Sequence, residues 1–179
     1  MAPAGNFESL QAALDNGADS VYFGVEQLNM RARASVNFTM EDLPEIARRC
    51  ETKNVRTYLT LNTIIYDHDL SVVKTLLAKA KAANITAVIA SDQAVIAMTR
   101  TIGMEVHIST QLNITNIETI KFYSLFADTM VLSRELSLRQ VKKITEQIEK
   151  EQIKGPSGNL VEIEIFGHGA LCMAVSGKC

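Results

Sequence analysis

The chain has 179 residues, of which 47% are hydrophobic and 21% are charged, and its formal net charge is −2. This length allows one domain with a sizeable core, and the small net charge provides no global basic field that would favour nucleic acid. No apolar run approaches the roughly 20 residues of a membrane helix, and the first residues lack the basic and apolar regions of a signal peptide. Because three cysteines occur without such a signal, a reducing compartment and a cytoplasmic location are predicted.

Short apolar segments alternate with segments of helical periodicity along the chain. Met1-Ala2-Pro3 is expected to end a first strand, and the other predicted strands are residues 20–23, 55–61, 86–90, 105–108, 129–132 and 160–166. The predicted helices between them begin near Asn6, Thr39, Leu70, Asp92, Asn116 and Ser137, most of which suit the N-cap position. Residues 25–38 are predicted to form a long loop.

Strands that alternate with helices in this way indicate a parallel sheet. The predicted fold is therefore α/β, a parallel (β/α) TIM-type barrel that is incomplete in this chain. We expect residues 1–179 to form a single barrel domain, truncated at its C-terminal cysteine motif. A doubly wound open sheet is the alternative, and the absence of a dinucleotide or phosphate-loop fingerprint after the first strand weakens it.

Polar side chains or glycine follow nearly every predicted strand. Ligands of a parallel barrel meet the carboxyl ends of its strands, so these positions predict a site for a polar or anionic ligand. The substrate-binding candidates at strand ends are Asn62, Ser109, Gln111 and Arg134. The alternative is that loops are polar wherever they occur.

Arg31 and Arg33 flank Ala32 in the long second loop. Two guanidinium groups at this spacing can point the same way in an extended segment and bind a carboxylate or a phosphate. We expect them to contribute to substrate binding, and an ordinary solvated loop is the alternative.

Hydrolysis would need a nucleophile, a base and an orienting acid. The chain offers candidates for each role, but no spacing connects them and no hydrolase motif occurs. The candidates are Ser109, Thr110, Ser133, His107, His168, Asp92 and Glu164. His107 alternates with apolar neighbours and fits a core histidine, whereas His168 lies between two glycines. Glu164 on a barrel strand needs a partner, for which Arg134 is a candidate.

The three cysteines fall into two classes. Cys50 is in helical register with apolar residues and is predicted to be a core thiol. Cys172 and Cys179 follow the last strand, at a spacing that is weak evidence for a metal site and, taken alone, favours buried thiols. An iron–sulfur cluster usually takes four thiolates, so further ligands would have to lie beyond Cys179 or on a partner.

The last residues, from Glu164 to Cys179, read E-x-F-x-x-G-A-L-C-x-x-x-x-G-x-C. This pattern resembles the signature of the collagenase-like peptidase family U-32. The A-P-A-G-N at residues 2–6 and the G-A-D-S-V-Y-F-G at residues 17–24 are also similar to segments of that family. The resemblance extends over nearly the whole chain, with further similar stretches at residues 107–111 and 133–137.

The resemblance implies a cofactor and a chemistry that composition does not show. Some members of the family are linked to collagen degradation, and others hydroxylate RNA bases or a quinone precursor with an iron–sulfur cluster. Cys172 and Cys179 match two of the cluster cysteines, which implies a 4Fe-4S cluster in the full-length protein with its other ligands outside this chain. The resemblance also implies Glu164 and His168 as catalytic residues and prephenate as a candidate co-substrate. Its implied partners are tRNA or rRNA and a homologous partner subunit.

Three hypotheses about function follow. The preferred one is cluster-dependent hydroxylation of an RNA base or a quinone precursor, because paired cysteines make sense as ligands and no hydrolytic apparatus is visible. The second is a collagenase-like peptidase. The third is a non-catalytic subunit that binds RNA or a partner.

Overall fold

The computed structural model describes residues 1–25, 28, 38–169, 174 and 175. Strands and helices alternate through these residues in the predicted order. The strands are β1 (Ala2–Pro3), β2 (Ser20–Gly24), β3 (Arg56–Leu61), β4 (Ala87–Ala90), β5 (Glu105–Ile108), β6 (Thr129–Val131) and β7 (Glu162–Glu164). The helices are α1 (Phe7–Asp15), α2 (Leu43–Glu51), α3 (Leu70–Ala82), α4 (Gln93–Thr101), α5 (Ile117–Tyr123) and α6 (Leu138–Glu151).

The chain divides into two compact units, Met1–Glu105 and Val106–Cys179. In the first unit, β1 to β4 pair in sequence order and every pair is parallel. Tyr22, Tyr58 and Ala87 are in register across three of these strands. The buried Tyr58 ring packs with Ala87 and Ile89, and Tyr22 covers this cluster.

The second unit contains the parallel strands β5, β6 and β7, in that order. His107, Thr129 and Glu162 are in register across them, and Glu164 pairs with Val131 farther along. The prediction of a parallel α/β fold is therefore confirmed within each unit, whereas the prediction of one domain stays a prediction. In the part of the chain that the structure describes, no helix has the length and apolar character needed to cross a membrane.

Side-chain caps explain where several helices begin. In each case a short polar side chain accepts a hydrogen bond from a backbone N–H of the first turn, which has no partner within the helix. The capping residues are Asn6 for α1, Asp92 for α4, Asn116 for α5 and Ser137 for α6. These starts match the prediction because a cap depends only on residues two or three positions apart.

The last strand is shorter than the predicted 160–166. Leu160 forms an antiparallel bridge with Lys154 and so closes the turn before the strand, and β7 extends only over Glu162–Glu164. Its partner β6 is also three residues long, which limits the ladder. In the second predicted loop, Val25 and Phe38 form a parallel bridge, and Phe38 packs edge-on against Phe23.

Candidate functional site

His107 of β5 and Glu164 of β7 approach each other in the second unit. The His107 Nδ1 atom lies 3.9 Å from the Glu164 Oε1 atom, and the His107 side chain is 3% exposed. Since β6 lies between the two strands, the side chains meet across it. The prediction that His107 is a core histidine is confirmed as to its burial, and a carboxylate oxygen lies near its ring.

The second carboxylate oxygen of Glu164 faces the interior. Glu164 Oε2 is buried and has no hydrogen-bond partner among the described residues. Such an oxygen loses its hydration without a replacement, which costs free energy unless a donor arrives. Glu164 therefore offers an acceptor to a ligand while its other oxygen faces His107. The predicted pairing of Glu164 with Arg134 stays a prediction.

The carboxyl end of β5 continues into a tight turn, residues Thr110–Leu112. The Ser109 hydroxyl accepts a hydrogen bond from the Gln111 N–H at 3.3 Å, and the Thr110 hydroxyl donates one to the Leu132 carbonyl at 3.3 Å. Asn113 closes the turn in the left-handed conformation, with φ of 52°. Ser109 is buried and Gln111 is half-buried, so both substrate-binding candidates lie at the same strand end.

The carboxyl end of β6 carries Ser133 and Arg134. The Ser133 hydroxyl donates a hydrogen bond to the Glu135 carboxylate. The Arg134 guanidinium lies over the ring of Phe166, 5.8 Å from its centroid. The side chains of Arg134 and Phe166 are exposed, and Phe166 follows Glu164 by two residues. This contact brings the ends of β6 and β7 together.

The other predicted site residues have separate settings. His168 is exposed and makes no hydrogen bond or ion pair with any described residue. Asn62 follows β3 in the first unit, where it is half-buried. Arg31, Arg33, Cys172 and Cys179 lie outside the described residues, so their predicted roles stay predictions.

Two residues considered at the sequence level have structural roles. The Asp92 carboxylate caps α4 by accepting hydrogen bonds from the N–H groups of Ala94 at 2.8 Å and Val95 at 3.3 Å. Cys50 is fully buried on α2, and burial raises the pKa of its thiol to about 11. The prediction of a core thiol is confirmed. Among the described residues, no group of three or more His, Cys, Asp or Glu side chains is placed to bind a metal ion.

Phe166 and Asn113 were not predicted as site residues, although both lie beyond the carboxyl ends of strands in the second unit. Phe166 occupies a fixed position of the terminal motif and is 48% exposed, which is unusual for phenylalanine. The position of an aromatic residue at the end of a predicted strand could have indicated that Phe166 belongs to the site. The Asn113 Oδ1 atom is buried without a hydrogen-bond partner in the described part of the chain. The residues around Asn113 in the sequence give no indication that its side-chain oxygen is buried.

Comparison with known proteins identifies the family. A family model described as Peptidase family U32 matches residues 5–179. The chain belongs to peptidase family U32. It is 57% identical over its whole length to a protein named collagenase from Porphyromonas gingivalis, of which it covers 43%. It is also 31% identical to a protein named tRNA hydroxylation protein P1 from Bacillus subtilis, of which it covers 40%. The U32 chain thus spans less than half the length of these relatives.

Solved structures show the same fold. A U32 peptidase structure matches 82% of this chain and 64% of its own, with a TM-score of 0.66 and 14% identity. The tryptophan synthase alpha subunit of Legionella pneumophila matches 93% of this chain and 72% of its own, with a TM-score of 0.57 and 19% identity. These likenesses confirm the predicted parallel (β/α) barrel class for the U32 chain.

The family contains proteins named for two chemistries. Besides the collagenase, it includes a protein named 23S rRNA 5-hydroxycytidine C2501 synthase from Escherichia coli, which is 31% identical to this chain and of which the chain covers 25%. Peptide hydrolysis and RNA hydroxylation are therefore both represented among the names of its relatives.

Proposed function

We propose that the full-length protein hydroxylates a base of tRNA or rRNA with the help of an iron–sulfur cluster. The observation that carries the proposal is the His107–Glu164 pair, in which the second carboxylate oxygen is buried and lacks a hydrogen-bond partner among the described residues. The exocyclic amino and ring N–H groups of a base are donors of the required kind. The likeness over the whole chain to a tRNA hydroxylation protein supports RNA as the substrate.

The hydroxyl groups near this pair bear on the choice between hydroxylation and hydrolysis. Thr110 directs its proton to a backbone carbonyl, and Ser133 directs its proton to Glu135 within a turn. The Ser109 hydroxyl holds the turn that follows β5. The Thr110 hydroxyl thus maintains local structure, whereas Ser133 has in the Glu135 carboxylate the kind of adjacent base that a hydrolytic nucleophile needs.

The chain's own residues would bind the base and handle a proton. Glu164 would accept a hydrogen bond from the base through Oε2, which fixes the base at the end of β7. His107, whose Nδ1 lies 3.9 Å from Oε1 of the same carboxylate, would exchange a proton with that carboxylate as the base reacts. Arg134 at the neighbouring strand end suits phosphate groups or the carboxylates of prephenate, the proposed co-substrate.

Cys172 and Cys179 are the proposed cluster ligands, and the chemistry of the donors supports them. Soft thiolates are the donors that iron–sulfur clusters take, and the third thiol is excluded because Cys50 is buried and its pKa is raised to about 11. When bound, such a cluster would accept or donate electrons one at a time, and prephenate, the proposed co-substrate, would supply the oxygen atom and act as the two-electron oxidant. RNA modification would place the protein in the cytoplasm, and a homologous partner subunit stays a prediction.

The test combines cluster analysis with RNA analysis. Iron and acid-labile sulfide are measured on the full-length protein purified without oxygen, with Cys172→Ala, Cys179→Ala and the matched control Cys50→Ala. We expect cluster loss in the first two variants and retention in the control. Hydroxylated nucleosides from cells that lack the protein, or that carry Glu164→Gln, are then measured by mass spectrometry. Absence of iron in the anaerobic wild type, or unchanged nucleosides in its absence, would overturn the proposal.

Peptide hydrolysis is the second candidate, favoured by the 57% identity to a protein named collagenase. It would appear as cleavage of gelatin by the purified protein that survives removal of iron and is lost in Ser109→Ala or Glu164→Gln. RNA binding without either activity would instead support the non-catalytic hypothesis.

A further inference from the structure

One face of α6 is strongly basic in its first two turns. Arg139, Lys142 and Lys143 stand at positions i, i+3 and i+4, which share one side of a helix, and all three are exposed. The opposite side is buried through Ile144 and Ile148. Among the described residues, the one ion pair that these three cations form is between Lys142 and Glu146, at 3.8 Å. Both side chains of this pair are exposed, and such pairs are weak in water.

The local charge departs from that of the whole chain. Residues 134–145 contain four cations and one carboxylate, a local charge of +3, whereas the chain as a whole has −2. The one carboxylate, Glu135, accepts a hydrogen bond from Ser133. The start of α6 adds the partial positive charge of a helix N-terminus. This segment therefore attracts anions although the protein is slightly acidic.

A stacked pair adjoins this basic face. The Arg134 guanidinium lies over the exposed Phe166 ring, and only four residues separate Arg134 from Arg139. Planar guanidinium groups and aromatic rings at a surface are the groups on which unpaired nucleic-acid bases stack. An acidic peptide or an anionic membrane would use the cations but would have no need of the ring.

We propose that Arg134, Phe166 and the basic face of α6, here named the β6–α6 surface, bind a single-stranded segment of the RNA substrate. The cations contact phosphates, and a base stacks on the Phe166–Arg134 pair. Phe166 lies two residues beyond Glu164, the last residue of β7. A base on Phe166 would therefore lie near a base held by Glu164. This inference rests on the proposed function, because it takes RNA as the substrate.

The test measures RNA binding directly with the full-length protein. Fluorescence anisotropy follows a labelled single-stranded RNA and the corresponding duplex at several salt concentrations. The surface variant is Arg139→Gln/Lys142→Gln/Lys143→Gln, and the matched control Lys53→Gln/Lys74→Gln/Arg100→Gln removes the same charge from exposed positions of the first unit. Phe166→Ala tests the stack.

We expect the surface variant to bind single-stranded RNA at least tenfold more weakly and to reduce the slope of log K against log salt by about 2, since each phosphate contact to a single strand contributes about 0.7. The control should remain within about twofold of wild type. Phe166→Ala should weaken binding about fivefold without changing the slope, because stacking involves no counterion. Thermal melting confirms that each variant is folded.

Three outcomes would overturn the inference. If the surface and control variants weaken RNA binding equally, only the net charge of the protein matters. If neither variant weakens RNA binding, the RNA binds at a different surface. Loss of binding to phosphatidylserine vesicles with RNA binding intact would identify a membrane contact. Base hydroxylation, measured on the wild type in parallel, tests the proposed function separately. If RNA binds through this surface and no base is hydroxylated, the proposed function is wrong and the inference about RNA binding is supported.

Discussion

His107 Nδ1 and Glu164 Oε1 lie 3.9 Å apart, although the two residues belong to the first and last strands of the second unit. Glu164 is the last residue of β7, and so lies at the strand end where parallel α/β folds bind ligands. Its carboxylate keeps one buried oxygen without a hydrogen-bond partner in the described residues. A buried oxygen in that state is a cost to folding, and such costs are characteristic of functional sites.

Replacement of Glu164 by Gln tests this role. The amide keeps the shape of the side chain but cannot carry the negative charge or exchange a proton. We expect base hydroxylation by the full-length protein to fall about 100-fold or more, the usual contribution of a positioned acid or base. The unfolding free energy should change by less than about 1 kcal/mol, because one oxygen already lacks a partner.

Glu162→Gln is the matched control, since Glu162 is exposed on the same strand. It should retain activity and stability. Equal activity of wild type and Glu164→Gln, measured as hydroxylated nucleoside per protein, would show that the carboxylate does not take part.

Substitution of Asp92 separates capping from catalysis. Asn caps a helix about as well as Asp, whereas Ala cannot accept the hydrogen bonds from Ala94 and Val95. Urea denaturation should show Asp92→Asn close to wild type and Asp92→Ala less stable by about 1 kcal/mol. Activity should persist in both variants, and its loss in Asp92→Asn would restore the carboxylate as a catalytic candidate.

The Cys50 thiol should make stability depend on pH in the alkaline range. Burial raises its pKa from 9.0 to about 11, so the unfolded chain loses the proton at lower pH than the folded chain. The contribution is therefore constant below about pH 9 and falls as the pH rises towards 11. Linkage gives a loss of about 2 kcal/mol at pH 11.

The difference between wild type and Cys50→Ala isolates this effect from the titration of lysine and tyrosine. Unfolding free energies of both proteins are measured from pH 8 to 11, and the wild type should lose more. Parallel pH profiles of the two proteins would contradict a buried neutral thiol.

Gly155 packs too closely on Asp128 to accept a side chain. A Cβ atom at this position would lie 2.8 Å from the Asp128 Cα, which is backbone and cannot rotate away. The Asp128 carboxylate also accepts hydrogen bonds from the N–H and the hydroxyl of Ser157, and these hold the turn that leads to β7. We expect Gly155→Ala to lower the unfolding free energy by about 2 kcal/mol.

Gly5→Ala is the control for this change, because nothing lies within 4 Å of the position of its added Cβ. It should leave the urea midpoint nearly unchanged. A Gly155→Ala protein as stable as Gly5→Ala would mean that the turn moves at little cost.

The order of strands and helices, and the starts of most helices, could be predicted because they depend on local interactions. Asn6 binds the N–H of Ser9, and Ser137 binds that of Gln140, each only three residues away. Period-two and period-3.6 patterns likewise arise within one element. The family followed from short segments of sequence, and the comparisons confirm it.

Only the tertiary structure decided which of the predicted side chains meet. The pairing of His107 with Glu164 and of Arg134 with Phe166 depends on the register of three short strands, which no local pattern specifies. The length of β7 depends likewise on the bridge between Lys154 and Leu160. The sequence by itself determined the elements and the family, through contacts within a few residues, while the geometry of the site arises from contacts between residues far apart in the chain.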